Sequence, residues 1–311
     1  TDNTPEYAAG PDSPGTARIE CDPDDADTRS MVRDALDRAE ALDPDQHLGA
    51  AMDVRFADTV GEFAEQCQQW GLDHVELKAE YLAGHPETPT PAELRRLSEA
   101  FDCSLTLHAP FRDWNLGSFN ESVRRASVEM VTQTLTDAAI AGAGAVVVHG
   151  GAVPRRYPEW VRETARENAR QSLQACADHA ADVGVPLCLE NQPESDSDER
   201  HTTTPDDLAA MLDSIDDDPE VLKVTLDVGH AKVNGLDWRD FAERFGDRIE
   251  VVHLHDNDAT ADQHEPFPGY ESVVESVPAS YFVFEMKSVS DVARSIGADV
   301  APLESGVSAG D

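Results

Sequence analysis

The sequence predicts an α/β fold, a single (βα)8 TIM barrel with an acidic N-terminal extension, on three observations. Eight short apolar runs recur along the 311-residue chain, segments of helical periodicity separate them, and most runs end on a histidine, aspartate or glutamate. Runs of that length, rich in Val and Leu, read as buried parallel strands. Eight βα repeats is the count that closes a barrel, and barrel chemistry sits at the C-terminal ends of the strands.

Residues 1–45 are rich in Asp, Pro, Gly and Ala (GPDSPG, DPDDADT), and only Met31 to Leu42 has helical spacing. This stretch reads as an acidic, partly disordered extension, or a helix packed on the barrel. The barrel domain is expected over 46–298. Its strands are expected at LGAAMD (48–53), HVELKA (74–79), SLTLHA (104–109), AVVVHG (145–150), PLCLEN (186–191), LKVTLDVG (222–229), IEVVHLHD (249–256) and YFVFEM (281–286). Helical periodicity follows in Thr59–Trp70, Asn120–Ala141, Trp160–Val183 and Pro205–Ser214. Residues 299–311, ending ESGVSAGD, read as a flexible tail. An open doubly wound sheet would carry a Gly-rich phosphate loop after its first strand, and AMDVRFADTV has none.

The chain has 62 Asp and Glu against 24 Lys and Arg, a formal charge of −38. Such a coat repels itself at low salt and is screened at molar salt, where the Debye length is about 3 Å. The expectation is a protein suited to a salt-rich cytoplasm. Nucleic-acid binding leaves a basic footprint, and the candidates here are small groups such as Arg124 with Arg125 and Arg155 with Arg156, which read as ordinary surface arginines. Nucleic acid is therefore disfavoured as a partner. Cys21, Cys67, Cys103, Cys176 and Cys188 show no ligand spacing, which fits reduced thiols. No apolar run approaches membrane-spanning length, and the polar N-terminus does not read as a signal peptide. A soluble, cytoplasmic protein with no membrane partner is expected.

Glu190, Asp227, His253 and Glu285 end four successive strands. One such residue is more often a hydrogen-bonded structural group, but buried carboxylates without a counter-charge are costly, so four in succession point to a metal. Three carboxylates and one imidazole suit Mn2+, Zn2+, Co2+ or Mg2+ better than Ca2+, and no organic cofactor is expected. His108, His149, His230, His255, Asp262 and His264 are further candidates, as additional metal ligands, substrate contacts or groups that orient the ligands. A phosphate-bearing substrate would favour Arg112, Arg155 or Lys232, yet none opens a helix from a Gly-rich turn. Phe111, Trp114 and Phe267 could stack on a sugar or pack the loops.

The motifs LHAPFRDWNLGS, VVVHGG, CLENQP, LDVGHA, HLHDND with ADQHEPFPG, and FVFE resemble the xylose isomerase-like TIM-barrel superfamily over about residues 48–290. That superfamily holds sugar isomerases and epimerases and endonuclease IV-type AP endonucleases. Resemblance to the first branch implies a metal held by Glu190, Asp227, His253 and Glu285. It also implies that Glu190 and Glu285 act as acid and base beside a carbonyl, through an enediolate, with His230 on substrate oxygens. The partner would be a carbohydrate or sugar phosphate, and a homo-oligomer is expected by analogy.

Resemblance to the second branch implies a zinc-dependent phosphodiesterase whose nine ligands match His108, His149, Glu190, Asp227, His230, His253, Asp262, His264 and Glu285. The chain departs from that branch at Gly150-Gly151-Ala152, where the pattern has Pro-Gly-Ser, and at the acidic ESDSDE that follows Glu190-Asn191-Gln192-Pro193. An acidic loop there repels a phosphate backbone. EPFPGYE after the D-x-H pair departs from both branches. Uncharacterised archaeal members, described only as sugar isomerase-like, combine the HAPF, NL and ENQP-like features and resemble this chain most.

Overall fold

The computed structural model describes residues 46–298, except 54, 86, 87 and 217, so the expected extension at 1–45 and tail at 299–311 lie outside the described residues. Ten strands run β1 (His47–Met52), β2 (His74–Lys78), β3 (Ser104–His108), β4 (Val146–His149), β5 (Ala152–Pro154), β6 (Leu187–Glu190), β7 (Asp198–Arg200), β8 (Leu222–Asp227), β9 (Ile249–Leu254) and β10 (Tyr281–Phe284). Eight of them form a closed barrel in which β10 returns beside β1, in register from His47 with Tyr281 to Ala50 with Phe284. All eight expected strands are present. Each run stops one or two residues short of its expected end.

The remaining pair, β5 and β7, makes a short antiparallel ribbon at the mouth, with Ala152 opposite Arg200. Nothing in the sequence pattern foretold it, since neither AVP nor DER alternates in hydrophobicity.

The helices are α1 (Val60–Gln69), α2 (Ala79–Gly84), α3 (Pro91–Phe101), α4 (Glu121–Ala141), α5 (Glu159–Val183), α6 (Pro205–Leu212), α7 (Val228–Val233), α8 (Trp238–Phe245), α9 (Glu271–Val274) and α10 (Val289–Ser295). Three of them open with reciprocal capping boxes: Thr59 with Glu62, Thr90 with Glu93 and Thr204 with Asp207, the last two followed by proline at the first turn. Each box satisfies two otherwise orphaned backbone donors and fixes where the loop becomes helix. No helix among the described residues is long and apolar enough to cross a membrane.

Two apolar layers result from the period-two alternation of the strands. Outward residues such as Val75, Leu77, Leu105, Leu107, Leu187 and Leu189 pack under the helices in the main core. Inside the barrel, only Ala51, Ala145, Val147, Cys188, Val251 and Val283 form a small apolar plug. The rest of the bore is polar: His74, Glu76, Thr106, Thr225 and His253 are all fully buried there.

Candidate metal centre

The strand ends deliver the expected side chains to one place. Glu190, Asp227, His253 and Glu285 each offer a ligand atom, and those atoms lie within 4.8 Å of one another. All four residues are buried. Three further groups adjoin them: His108, His149 and Glu190; Asp227, His230 and His255; His255, Asp262 and His264. Every metal-ligand candidate named from the sequence therefore sits in one continuous cluster.

Local chain geometry explains how loop residues reach the strand-borne group. Asp227 ends β8 and caps α7, accepting the His230 amide at 2.7 Å, so the run is a strand only to Asp227 and His230 is carried round on the first helical turn. Asn191 clamps the neighbouring strand, accepting the Asp227 amide at 2.7 Å and donating to the Asp227 carbonyl at 2.9 Å. Gly229 leaves room for the His255 ring, because a Cβ there would meet its Cε1 at 2.0 Å. The loop that carries Asp262 and His264 is closed by paired backbone hydrogen bonds between Asp256 and Glu265, at 2.9 and 2.7 Å. His264 adopts a left-handed φ of 53° and stacks on His255 with ring centroids 4.0 Å apart.

Ring orientation follows from acceptors that cannot donate. His108 Nδ1 lies 2.8 Å from the Ala109 carbonyl, His230 Nδ1 2.9 Å from the Asn191 carbonyl, and His264 Nδ1 2.6 Å from the Glu285 carbonyl. In each ring Nδ1 carries the proton, which leaves Nε2 to face the cluster. His108 and His149 point Nε2 at Glu190 Oε2, at 3.3 and 3.0 Å, and His230 and His264 point it at Asp262 Oδ2, at 3.4 and 3.2 Å. His253 is reversed: Nδ1 faces Glu285, Glu190 and Asp227 at 3.2, 3.4 and 3.6 Å.

These donors fit a cation. Glu190 Oε2, His253 Nδ1, His255 Nδ1 and Asp262 Oδ1 are buried and make no hydrogen bond among the described residues, although oppositely charged groups lie close. Lone pairs that converge without sharing a proton are arranged as a ligand set is. Lys78, at the end of β2, ion-pairs with Glu285.

Electrostatics agree. Burial pushes the Glu190 carboxyl up, but His149, His253 and His108 outweigh it and hold the group well below the usual carboxylate range. Glu285 is likewise held far down against burial by Lys78 and His253, and Asp227 is held down to about 2 against burial by His230 and His255. His253 is raised well above its ordinary value, because Glu76, Glu285 and Glu190 overcome the opposing effect of burial.

A cavity of about 690 Å3 opens over the cluster and is lined by Phe111, Trp114, Glu194, Asp196, Arg200 and Asp262, among others. Phe267 instead packs partly buried against the main core. Of the cations considered for phosphate, Arg155 donates to the Ser195 carbonyl at 2.8 Å and Lys232 binds Asp256 at 2.5 Å. Arg112 lies over the Phe111 ring at 5.2 Å. Sequence reasoning passed over Glu76, Lys78 and Arg200. The first two stand in HVELK, where alternation alone reads as polar and exposed, and the third belongs to the unforeseen ribbon.

Known proteins share this frame. The chain is 28% identical over 232 residues to the uncharacterized protein MJ1311 of Methanocaldococcus jannaschii, covering 74% of this chain and 77% of that one. A crystal structure of a D-tagatose 3-epimerase-like protein superposes with a TM-score of 0.69 and 25% identity, covering 80% of this chain and 94% of that one. The TTHB071 protein from Thermus thermophilus, in a structure described as soaking with ZnCl2, gives a TM-score of 0.61 and 25% identity over 81% and 96% of the two chains. The model of the xylose isomerase-like TIM barrel matches residues 64–296, which span seven of the barrel's eight strands and all the candidate ligands, and the chain belongs to that family.

Proposed function

We propose that the protein is a metal-dependent sugar isomerase or epimerase that moves a proton beside a carbonyl. The observation that carries this reading is the buried set Glu190, Asp227, His253 and Glu285, in which two glutamates share one ligand group. A divalent ion held there, such as Mn2+, Zn2+, Co2+ or Mg2+, supplies Lewis acidity toward a substrate carbonyl. Glu190 and Glu285 reach the group from β6 and from the end of β10. One, as a carboxylate, would take a proton from the carbon beside the carbonyl, and the other, in its protonated form, would return one to the enediolate, the two exchanging protonation states over the turnover. Lys78 and His230 bear on substrate oxygens at the rim. Among the described residues Arg200 lines the cavity with no hydrogen-bond or ion-pair partner, and its guanidinium is assigned to a substrate oxygen. The epimerase-like neighbour, related across nearly its whole length, supports the same reading.

A second reading, a zinc-dependent AP endonuclease, is favoured by one observation: the nine ligands that this branch requires adjoin in the cluster. Against it stand Glu194, Asp196 and Asp198, which line the cavity where a phosphate backbone would run. Metal content of protein purified without chelator, together with two assays, separates the readings. Deuterium uptake from solvent beside a ketose carbonyl, in a screen of ketoses and their phosphates, supports the isomerase. Cleavage of abasic-site DNA with no ketose exchange overturns it.

A further inference from the structure

His108, His230 and His264 are oriented by backbone carbonyls. His253 is not. Its backbone is engaged in the barrel ladder opposite Asp227 and Val283, and its ring lies inside the bore. Nε2 instead meets Glu76 across the barrel, 3.1 Å from Oε1 and 3.3 Å from Oε2. Glu76 comes from β2, which does not pair with β9, and it is fully buried.

The Glu76 carboxyl stands between His253 Nε2 on one side and the Thr106 hydroxyl on the other. Two donors therefore point at it. Thr106 Oγ1 donates to Oε2 at 3.1 Å, which commits its single proton, and the same hydroxyl oxygen accepts from His74 Nε2 at 3.0 Å. His74 Nδ1, left without a proton, then faces the Ser104 hydroxyl at 2.8 Å. A column of four buried or part-buried polar side chains thus runs from the floor of the barrel to His253, with its hydrogen-bond direction set at Glu76.

We propose that Glu76 is a positioning residue for the metal centre: it fixes His253 as the Nε2–H tautomer, so that Nδ1 is the nitrogen offered to the cation. The inference rests on the metal-centre reading but not on the reaction assigned to it. A carboxylate partner strengthens a ligating imidazole more than a neutral carbonyl does, so this ring is the most firmly held of the four. Glu76 is not itself a ligand, since it sits on the side of the ring away from Nδ1.

The test is Co2+ binding by the metal-free full chain, measured by competition with a chelator and by the visible spectrum of the bound ion. Glu76→Gln is expected to weaken Co2+ binding by roughly 10- to 100-fold and to shift the spectrum, while Glu76→Asp recovers part of the affinity. Melting of the metal-free proteins, compared alongside, separates loss of fold from loss of binding. Wild-type affinity and spectrum in a folded Glu76→Gln protein would overturn the proposal. So would absence of any Co2+ binding by the wild type. Should Glu76→Gln not fold, nitrogen-15 NMR of the histidines in the Zn2+-loaded wild type decides: a proton on Nε2 and metal on Nδ1 of His253 is expected, and the reverse tautomer overturns the idea. Neither measurement involves substrate, so failure of the isomerase reading would leave both results standing.

Discussion

His253 and His74 occupy the same bore, both fully buried, and their affinities for a proton are shifted in opposite directions. At the mouth, Glu76, Glu285 and Glu190 raise the His253 imidazole well above its ordinary value in spite of burial. At the floor, burial prevails over Glu76 and drops His74 to about 4. Depth therefore does not decide the ionisation of a buried histidine here; the number of carboxylates within reach does. The mouth gathers carboxylates around its histidines, whereas the floor is built from hydroxyl and imidazole hydrogen bonds.

The largest expected effect lies at the mouth. Glu285→Gln removes a proposed metal ligand and one member of the proposed acid–base pair together, and turnover should fall by about 10^3-fold or more. Full activity in this variant would remove Glu285 from the site. Buried histidines outside the ligand cluster, one at the floor and one behind the mouth ribbon, give a different signature, in stability. His74 and His201 are each lowered to about 4 by burial, and both ring nitrogens of His201 lack a hydrogen bond among the described residues.

Their folded pKa values lie below the unfolded one, so the unfolded chain takes up protons first. Stability is fully present above about pH 6.5 and is lost as pH falls toward 4, by up to about 3 kcal/mol per histidine. Urea denaturation across that range measures the slope. His201→Asn should flatten it, and an unchanged slope would show that His201 does not carry it.

Smaller effects sharpen the contrast within the mouth itself. Asp262 is part-exposed and comes from a loop, unlike the strand-borne four. Asp262→Asn should leave metal at the inner group and lower kcat/KM by about tenfold, while Asp227→Asn should lose that metal, as read by elemental analysis after dialysis. Arg200→Gln should raise KM by about tenfold with little change in kcat, the mark of lost substrate binding. Equal effects on KM and kcat would instead place Arg200 in the reacting constellation. The weakest effect is global: with a formal charge of −38, the denaturation midpoint should rise between about 0.1 M and about 2 M KCl as repulsion is screened. A flat response would count against the salt-rich setting expected from composition.

The strands and the cluster were legible for one shared reason. Each barrel strand is a short apolar run, and its polar terminus breaks the run where the chain leaves the sheet, as in AVVVH and PLCLE. Glu76 and Thr106 were not legible, because HVELK and SLTLH alternate as half-exposed strands do, and only closure of the barrel turns their polar face inward. A signal was present in the pair of strands taken together, since both carry polar residues at the same period. The β5–β7 ribbon was hidden for another reason: its strands have three residues each and pair across more than 40 positions. The exit of the chain at Asp227 rather than two residues later depended on a side-chain cap, which an apolar–polar pattern does not encode.

The paired backbone hydrogen bonds between Asp256 and Glu265 make the intervening loop a unit with its own neck. Two candidate ligands, Asp262 and His264, ride on that unit, while the inner four belong to the barrel wall. Exchange of the loop at this neck is therefore expected to remove Asp262 and His264 together, and with them the His264 contact to the Glu285 carbonyl, while the inner four stay on their strands. Within one barrel, the neck of a single loop is the hinge on which different chemistries can diverge.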